Sequence, residues 1–551
     1  MIQENYLRHI KVNLTNCSKE ILSNHSLFTL YLYEMTKELN IGKIKNSFFL
    51  PNSDGLTFII NLKKSKLSIK TKDSNQDVEI DFFTNLYNET AFVGFNYIKK
   101  ILKATKCEIT ESLNPNLSIC EFTPNLNLYR NDSSLTPPYN ISILGSNGGV
   151  SKSFLSILNI AIKDPDDPIY NFIKDVNLHL VDLNQNLISY YNNKFPNLKD
   201  KINLYEFDAN DATNLENHLK NTKTSIVIDL SYSDTISTLK CCNSLGVRYI
   251  NTALESTSVD ENEDIQGFQS QERYEIFQSH RDEFKNTTAI ICSGMNPGVV
   301  QWMAIELMKR KNHLPNGCYI IEEDTSFLED KSKVNKDTIY TTWYPEGFLD
   351  EAIDSYPTFM KNHESIFLYN EIYELEFKVS LGNKIFYGCL MPHEEAITLG
   401  KMYNMETGFI YKINDHTTKI IKNNIDTIDE LWNKPTEVLN PEKDSLIGDD
   451  LVGVLLSYDD FEIYMYNSLN NKKTYEKYKT NATYIQVASG VYGALCVLTL
   501  DNIPKGIYFI DELLSSTKNN YGEYIKHHIG DIIIGENKFS DGTLLDRMRH
   551  N

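Results

Sequence analysis

Hydrophobic and polar residues alternate through the first part of the chain, and the period of that alternation changes several times. A period of two predicts a strand, and a period near 3.6 predicts a helix. The pattern predicts strands at 8–14, 47–50, 56–62, 67–71, 78–83 and 107–111, and helices at 27–39 and 92–105. Several strands with two helices between them are typical of an α+β sandwich, in which helices cover one face of a sheet.

This periodicity stops after the last of these strands. Residues 113–138 are rich in proline, asparagine and serine, a composition typical of a linker. We therefore assign residues 1–112 to a first domain and residues 113–138 to a linker.

Short apolar strands separated by helical segments occupy residues 139–300. The strands are predicted at 139–144, 176–181, 202–206, 225–228, 248–251 and 289–291. Regular alternation of strand and helix predicts an α/β fold with a doubly wound, Rossmann-type parallel sheet.

The pattern changes again after residue 300. Longer, aromatic-rich strands at 366–379 and 384–390 predict a mixed α+β domain at 301–480, which we expect to carry substrate and dimer contacts. Residues 482–500 are almost continuously apolar and rich in small residues. We predict a buried helix there, so that the segment 481–551 returns to the Rossmann-type domain.

Composition and charge narrow the possible functions. The 551 residues include 54 Lys+Arg and 74 Asp+Glu, a net charge of −20. Residues 1–135 hold 16 of the basic and 14 of the acidic residues, so the remaining 38 and 60 leave the acidic surplus in the rest of the chain. An acidic surface disfavours nucleic acid and anionic membranes as partners.

Several absences favour a cytoplasmic protein. The opening MIQENYLRHIK lacks the pattern of a signal peptide, and the apolar stretch at 493–500 is too short for a membrane helix. The nine cysteines are scattered without the spacing of a metal site, so we expect reduced thiols and no metal.

A glycine-rich turn links the strand at 139–144 to the following helix. The candidate cofactor-binding residues are Gly145, Ser146, Asn147, Gly148, Gly149, Val150 and, after later strands, Asp182 and Asp208. Glycines let a backbone approach a pyrophosphate, and an acid at the end of the next strand binds ribose hydroxyls. With Ser146 and Ser151 aligned to the first and third glycines, the motif is imperfect, and Asp182 comes about 35 residues on, which an insertion at 163–172 would explain. Both a dinucleotide site and a ligand-free turn remain open; an acid rather than an arginine favours NAD over NADP.

Ordered segments of the second part resemble a known family. They are SIVIDLSYSDTISTLKCCNSLGVRYINTALES, AIICSGMNPGVVQWMA, TTWYPEGFLDE, YGCLMPHEEAI, IGDDLVGVLL and NATYIQVASGV. Together they resemble the saccharopine dehydrogenase-like superfamily and, within it, bacterial homospermidine synthases. The resemblance runs over roughly residues 139–515. It implies NAD-dependent oxidation of putrescine to an imine, attack by a second diamine with loss of ammonia, and reduction to homospermidine.

The resemblance also implies catalytic residues. Trp343 matches the family tryptophan that holds an ammonium by cation–π contact, and Glu351 matches the acid at the far end of the diamine. Their spacing across PEGF suggests a loop; a core tryptophan beside a solvated acid is the alternative. Asn296 matches an asparagine near the nicotinamide, or starts a helix. His393 is a candidate for proton transfer, or a structural histidine.

Three further acids are candidates for substrate binding. Glu255 follows the strand at 248–251, where ligands of parallel sheets bind. Glu322 lies in an apolar strand, where an ionised carboxylate needs a partner. That partner is a polyamine nitrogen or a lysine. Asp415 is the weakest of the three candidates.

Residues 7–111 resemble the bacterial S-adenosylmethionine decarboxylases, on LRHIKVNLTNCSKEIL and KKSKLSIKTKDSNQDVEIDFFTN. That family cleaves its own chain and converts a serine to a pyruvoyl group. The aligned serine is Ser65, but Lys64, Lys70 and Asn85 replace the family's acid, histidine and cysteine. We therefore expect an inactive domain without a pyruvoyl group.

The overall hypothesis is an NAD-dependent, homospermidine synthase-like transferase, with putrescine and spermidine as ligands and a homodimer as the implied assembly. Two alternatives stay open: a carboxyspermidine or saccharopine dehydrogenase-like enzyme catalysing reductive condensation, and a catalytically inactive polyamine-binding protein.

Overall fold

In the computed structural model, the alternating segments near the start of the chain form one six-stranded sheet. The structure describes residues 7–23, 25–38, 44–52, 54–62, 65–84, 91–114, 137, 139–311 and 313–550. The first elements are β1 (Leu7–Thr15), α1 (Lys19–Ser23), α2 (His25–Glu38), β2 (Ile44–Asn52), β3 (Gly55–Leu62), β4 (Ser65–Lys72), β5 (Asp77–Thr84), α3 (Ala91–Ile101) and β6 (Lys106–Asn114). The strand order is β2-β3-β4-β5-β1-β6, with antiparallel neighbours.

One face of this sheet carries the core of the first unit. Alternate residues of β1, such as Val12, pack with Phe28 of α2 and Phe95 of α3. This arrangement confirms a sheet with helices on one face. Helix α3 is shorter than predicted because Lys103 adopts a left-handed backbone conformation with φ 52° just beyond it.

By compactness the chain divides into two units, Met1–Asp132 with Leu514–Lys518, and Ser133–Leu513 with Asn519–Asn551. The predicted linker falls almost entirely outside the described residues.

The second unit begins with alternating strands and helices. They are β7 (Tyr139–Leu144), α4 (Gly149–Ala161), α5 (Tyr170–Ile173), β8 (Val176–Asp182), α6 (Ile188–Lys194), β9 (Ile202–Glu206), α7 (Ala212–Thr222), β10 (Ile226–Asp229), α8 (Thr235–Leu245), β11 (Arg248–Asn251), α9 (Thr257–Asp260), α10 (Gln269–His280), β12 (Thr288–Ile291) and α11 (Val299–Met308).

Longer strands follow in the second unit; of the elements given next, residues 514–516 at the end of one helix group with the first unit. In chain order the elements are β13 (Gly317–Asp324), β14 (Phe327–Leu328), β15 (Ile339–Thr341), α12 (Pro345–Ile353), β16 (Thr358–Lys361), β17 (Glu364–Phe367), β18 (Leu375–Leu381), β19 (Lys384–Met391), α13 (Glu394–Met402), β20 (Glu406–Lys412), α14 (Asp415–Asn423), β21 (Thr436–Val438), β22 (Leu446–Ile447), β23 (Asp449–Ser457), β24 (Glu462–Asn470), α15 (Asn471–Tyr478), α16 (Ala482–Leu500), β25 (Gly506–Phe509), α17 (Ile510–Ser516), α18 (Tyr521–Ile525), β26 (Ile532–Asn537) and β27 (Met548–His550).

Seven of these strands form a parallel sheet in the order β25-β12-β11-β10-β7-β8-β9. The chain runs outward from β7 to β9 and then returns to β10 on the other side of β7. In open parallel sheets of this kind, ligands bind at the carboxyl ends of the strands, where the order reverses. That point lies between β7 and β10.

A second, mixed sheet follows the path β26-β24-β23-β13-β20-β19-β18-β27, with β16 and β17 beside β20. The single strand predicted at 366–379 is wrong. Two strands, β17 and β18, are separated by a turn in which the Glu374 carboxylate accepts hydrogen bonds from the side chain of Asn370 and the backbone of Glu371. The polar residues Asn370, Glu371 and Glu374 interrupt the aromatic sequence and form this turn.

Helix α16 is the buried helix that the apolar pattern predicts. It is long and apolar enough to cross a membrane by length and composition alone, although 78% of its most apolar window is buried. It packs against α4 and α18, which identifies it as the core helix of this unit. The eight described cysteines are all free.

Candidate active site

The glycine-rich turn lies at the carboxyl end of β7. Gly145 has φ 70°, and a Cβ there would lie 2.5 Å from the carbonyl oxygen of Leu230, so the position requires glycine. The structure therefore corrects the alignment: Gly145, not Ser146, forms the tight turn. Gly148 precedes α4, and the described residues provide no side-chain cap for that helix, which leaves backbone N–H groups available to an anion.

Two of the predicted cofactor residues meet at this turn. The Asp182 carboxylate accepts a hydrogen bond of 2.8 Å from the backbone N–H of Asn147. Ser146 is buried and accepts a hydrogen bond from the Gln185 side chain. Asp208 is exposed after β9, and its carboxylate accepts from the backbone N–H of Asn210.

The segment at 163–172, which was predicted to be an insertion, is hydrogen-bonded to buried residues of the second unit. Asp167 is buried and accepts hydrogen bonds from Tyr492 of α16 at 2.6 Å and from His528 at 2.9 Å. These contacts fix the segment between α4 and β8.

Three carboxylates from the mixed sheet lie on one face. Glu322 and Asp324 are two positions apart on β13 and therefore point the same way. Asp450 of β23 pairs directly with Asp324 across the ladder. All three are almost fully buried. Burial raises the pKa of Glu322 to about 8, and it also raises those of Asp324 and Asp450, which repel one another and Glu322.

The hydrogen bonds of these acids are incomplete. Asp324 accepts from Thr342 at 2.7 Å and from the backbone of Ser326 at 2.9 Å. One Asp450 oxygen accepts from Thr483 at 2.5 Å, while its other oxygen has no partner among the described residues. Asn296 donates to Glu322 at 2.7 Å, whereas Gly298 occupies the position before α11. The side chain of Asn296 therefore serves the acid and not the helix start.

His393 joins a second group of carboxylates. It precedes α13, and its Nδ1 lies 2.5 Å from Glu395, while its Nε2 lies 3.8 Å from Glu351. Burial lowers its pKa, but the charges of Glu395 and Glu351 outweigh burial and raise it to about 10. Burial raises the pKa of Glu351 to about 8. Glu394 lies 3.9 Å from the imidazole and accepts from the backbone of Leu254.

The atoms of His393, Glu394 and Glu395 are close enough to hold a metal ion. We assign no metal ion to this group, because Nδ1 of His393 is already hydrogen-bonded to Glu395. We call Glu322, Asp324, Glu351, Glu394, Glu395 and Asp450 the acid cluster.

Trp343 borders the acid cluster. Its Nε1 lies 3.5 Å from the hydroxyl of Tyr411, which pairs with Glu322 across β20 and β13. The loop predicted between Trp343 and Glu351 is wrong: PEGF begins α12, with Pro345 at the first turn, and Glu351 lies within that helix.

The amino end of α16 connects the acid cluster to the glycine turn. Thr483 bonds to Asp450, and a Cβ at Gly149 would lie 2.2 Å from the ring of its neighbour Tyr484. Consecutive residues of one helix thus touch both parts, so the two candidate sites form one region.

Two predicted sites lie elsewhere. Asp415 has a side chain 92% exposed and lies 3.7 Å from Lys412, which also binds Glu323 on the opposite face of β13. In the first unit, Ser65 is buried at the start of β4, whereas Lys70, five positions on, is exposed on the other face. Lys64 and Asn85 lie outside the described residues.

Sequence reasoning missed Asp324, Asp450, Tyr411, Glu394 and Glu395. Alternation along β13 could have identified Asp324 beside Glu322, and Asp450 is an acid that enters an apolar strand. Tyr411 and Glu395 are recognised only through their partners.

Comparison with known proteins identifies the first unit. Residues 8–114 match the S-adenosylmethionine decarboxylase family. A decarboxylase proenzyme of Thermosipho melanesiensis is 31% identical over 108 residues, which are 19% of this chain and 82% of that protein. The proenzyme of Fervidobacterium nodosum is 28% identical over 19% of this chain and 77% of that protein. Through this domain, the chain belongs to the S-adenosylmethionine decarboxylase family.

Solved structures are similar over limited parts. Adenosylmethionine decarboxylase from Aquifex aeolicus is 16% identical over 22% of this chain and 98% of that chain, with a TM-score of 0.18. UDP-glucose 4-epimerase from Bifidobacterium longum, in complex with NAD+ and UDP, is 14% identical over 28% of this chain and 52% of that chain, with a TM-score of 0.20. The chain thus spans about half the length of that epimerase. At such TM-scores these likenesses assign no function to the second unit.

Proposed function

We propose that the second unit catalyses an NAD-dependent, homospermidine synthase-like reaction, in which two putrescine molecules give homospermidine and ammonia. The observation that carries this proposal is the acid cluster beside the glycine turn at the carboxyl edge of the parallel sheet. Six buried or half-buried carboxylates with His393 as their one cationic partner among the described residues are costly, and a diammonium ligand supplies the missing charges.

The charge balance of the site favours an amine over an acid as substrate. Among the described residues, no lysine or arginine forms an ion pair with any member of the acid cluster. Arg273, whose charge reaches Glu351, is held by Asp260 at 2.7 Å and Asp350 at 3.3 Å. A substrate carboxylate would therefore meet repulsion, which argues against the reductive condensation of carboxylated amines.

The glycine turn fits a dinucleotide. The glycines at 145 and 149 leave no room for side chains, the start of α4 is uncapped, and Asp182 stands at the end of β8. These features suit a pyrophosphate and a ribose in a doubly wound fold. When bound there, NAD would accept a hydride from the carbon that bears the amine and return it to the new imine.

The chain's own residues position the amines and move protons. Trp343 offers an aromatic face to an ammonium, and Glu351 and Glu322 bind the charged ends of the diamine. His393, held in its protonated form between Glu395 and Glu351, donates a proton from Nε2 to the leaving ammonia and regains one from the attacking amine. Since the net reaction consumes no NAD, the same site performs both halves.

We propose that the first unit has lost decarboxylase chemistry despite its family membership. Lysine replaces the family's histidine at position 70, and that side chain lies on the face of β4 opposite Ser65. An intact-mass measurement tests this proposal: the uncleaved chain is expected, and two fragments produced by cleavage before Ser65 would contradict it.

We further propose a cytoplasmic homodimer that uses spermidine as well as putrescine. Free cysteines suit a reducing compartment. Light scattering of the purified chain tests the dimer, for which a monomer mass would be the contrary result.

Product analysis tests the main proposal. The full chain is incubated with putrescine and NAD+, and amines are separated by chromatography. We expect homospermidine and ammonia in equal amounts. Binding of putrescine without any polyamine product would identify the inactive polyamine-binding alternative instead.

A further inference from the structure

A tyrosine hydroxyl from the carboxyl-terminal part of the chain lies beside the glycine-rich turn. Tyr484 is half-buried in the first turn of α16. A Cβ at Gly149, the first residue of α4, would lie 2.2 Å from both Cζ and Cε2 of the Tyr484 ring. Since Cζ carries the hydroxyl, that group lies next to the start of α4. Within the described ranges it forms no hydrogen bond.

The backbone of Tyr484 is fixed, which gives the ring a defined position. Asn481 precedes α16, and its side-chain oxygen accepts a hydrogen bond of 2.9 Å from the backbone N–H of Tyr484, as expected of a residue that caps a helix. The Asn481 side chain also donates to the carbonyl oxygen of Thr342 at 2.8 Å. Thr483 of the same turn is bonded to Asp450. The first turn of α16 is therefore anchored without using the Tyr484 hydroxyl.

Electrostatic effects place this hydroxyl near the point where the strand order reverses. Burial raises the pKa of Tyr232, which follows β10, and Tyr344 and the carboxylate of Glu255 raise it further. Tyr484 contributes a smaller increase. Because such an effect weakens with distance, the two phenols are near each other. The Tyr484 hydroxyl thus lies between the start of α4 and the end of β10, where ligands of such sheets bind.

The groups at this position suit a negatively charged acceptor. The start of α4 has no side-chain cap among the described residues, so its backbone N–H groups are available to an anion. Burial raises the pKa of Tyr484 to about 12, and the phenol therefore keeps its proton at neutral pH and can donate a hydrogen bond. Donors on both sides of one position favour a phosphate oxygen, because hydrogen bonds to an ionised acceptor are the stronger ones.

We propose that Tyr484 donates a hydrogen bond from Oη to a pyrophosphate oxygen of the dinucleotide. The start of α4 binds the pyrophosphate from one side, and the first turn of α16 closes the site from the other. Such a contact rests on the proposed function, because it is made to the cofactor of that reaction. A tyrosine that only packs α16 against α4 needs its ring but not its hydroxyl, so the two roles can be separated.

Titration calorimetry on the full chain measures the contact. The probes are NAD+, ADP and adenosine, of which only the first two carry a pyrophosphate. Tyr484→Phe keeps the ring packed on Gly149 and removes the hydroxyl alone. Loss of a hydrogen bond to a charged group should weaken the binding of NAD+ and of ADP by about 10- to 100-fold. Adenosine should bind within about twofold of its affinity for the wild type.

Tyr466→Phe is the matched control. Tyr466 is also half-buried, lies on β24 and packs against the apolar core of the mixed sheet. Removal of its hydroxyl should leave NAD+ affinity within about twofold of the wild type, and circular dichroism verifies that both variants are folded. Equal weakening of NAD+ binding in the two variants would contradict the contact.

Three other results overturn the contact at the pyrophosphate. They are a folded Tyr484→Phe protein that binds NAD+ like the wild type, equal weakening of all three probes, and weakening of NAD+ but not of ADP. The second result would indicate a disturbed site, and the third a contact to the nicotinamide half.

Product analysis separates this contact from the proposed function. If NAD+ and ADP binding depend on the Tyr484 hydroxyl but no homospermidine forms, the function is wrong and the contact stands. If homospermidine forms and NAD+ affinity is unchanged in Tyr484→Phe, the contact is wrong and the function stands. If the wild type binds neither NAD+ nor ADP, both are wrong.

Discussion

The two faces of strand β13 carry carboxylates in very different surroundings. On one face, Glu323 pairs with Lys384 at 2.7 Å and Lys412 at 3.1 Å. On the other face, Glu322 has Asn296 as its hydrogen-bond donor and no cation in ion-pair contact among the described residues. Neighbouring acids of one strand are thus charge-balanced on one face and unbalanced on the other. We propose that the unbalanced face binds the cationic ligand.

The largest expected effect comes from exchanging the charge on each face in turn. Glu322→Gln should reduce homospermidine formation by on the order of 100-fold or more, because the variant loses both a substrate anchor and a charge beside the reacting amine. Glu323→Gln should leave turnover within about twofold and cost at most about 1 kcal/mol of stability, since its ion pairs are partly exposed. Steady-state assays and denaturant unfolding measure the two effects. Equal losses of turnover would remove the distinction between the faces.

A second comparison sets Trp343 against the exposed Trp432. Trp343→Ala should weaken turnover by about 30-fold, the value of a desolvated cation–π contact near 2 kcal/mol, while the protein stays folded. Trp432→Ala, which removes a side chain bonded to Asp354 at 3.2 Å, should leave turnover unchanged. Thermal unfolding accompanies both assays. An unfolded Trp343→Ala protein would identify that tryptophan as a core residue.

Some of the residues in these comparisons could be placed from the sequence, and others could not. Alternation placed Glu322 in an apolar strand, and the strand–glycine–helix order placed the turn after β7. The assignment of Ser146 to the tight turn failed because left-handed φ at Gly145 depends on its contact with Leu230, which is distant in sequence. Asp415 resembled the other acids in type, but only the tertiary structure shows its side chain exposed to solvent beside Lys412.

The smallest expected effect is on the pH dependence of stability. The pKa values of Glu322 and Glu351 rise to about 8 on folding from an ordinary value near 4.5, so the folded protein binds more protons than the unfolded one between these limits. Stability of the ligand-free protein should therefore fall as pH rises through that window. His393, with a pKa raised to about 10 from 6.5, acts in the same direction at higher pH.

Thermal unfolding at a series of pH values checks this expectation. Putrescine should oppose the fall, because it stabilises the ionised carboxylates, and Glu351→Gln should flatten the profile. A melting temperature of the ligand-free protein that rises between pH 5 and about 8 would show that these acids ionise normally.

The central claim is that one site removes a hydride from an amine and returns it while ammonia leaves. Mass spectrometry of the product formed from putrescine deuterated on both amine-bearing carbons tests this claim most directly. With NAD+ in catalytic amount, the account predicts homospermidine that retains all the deuterium. Loss of deuterium to solvent, accumulation of reduced cofactor in step with product, or the absence of homospermidine would contradict it.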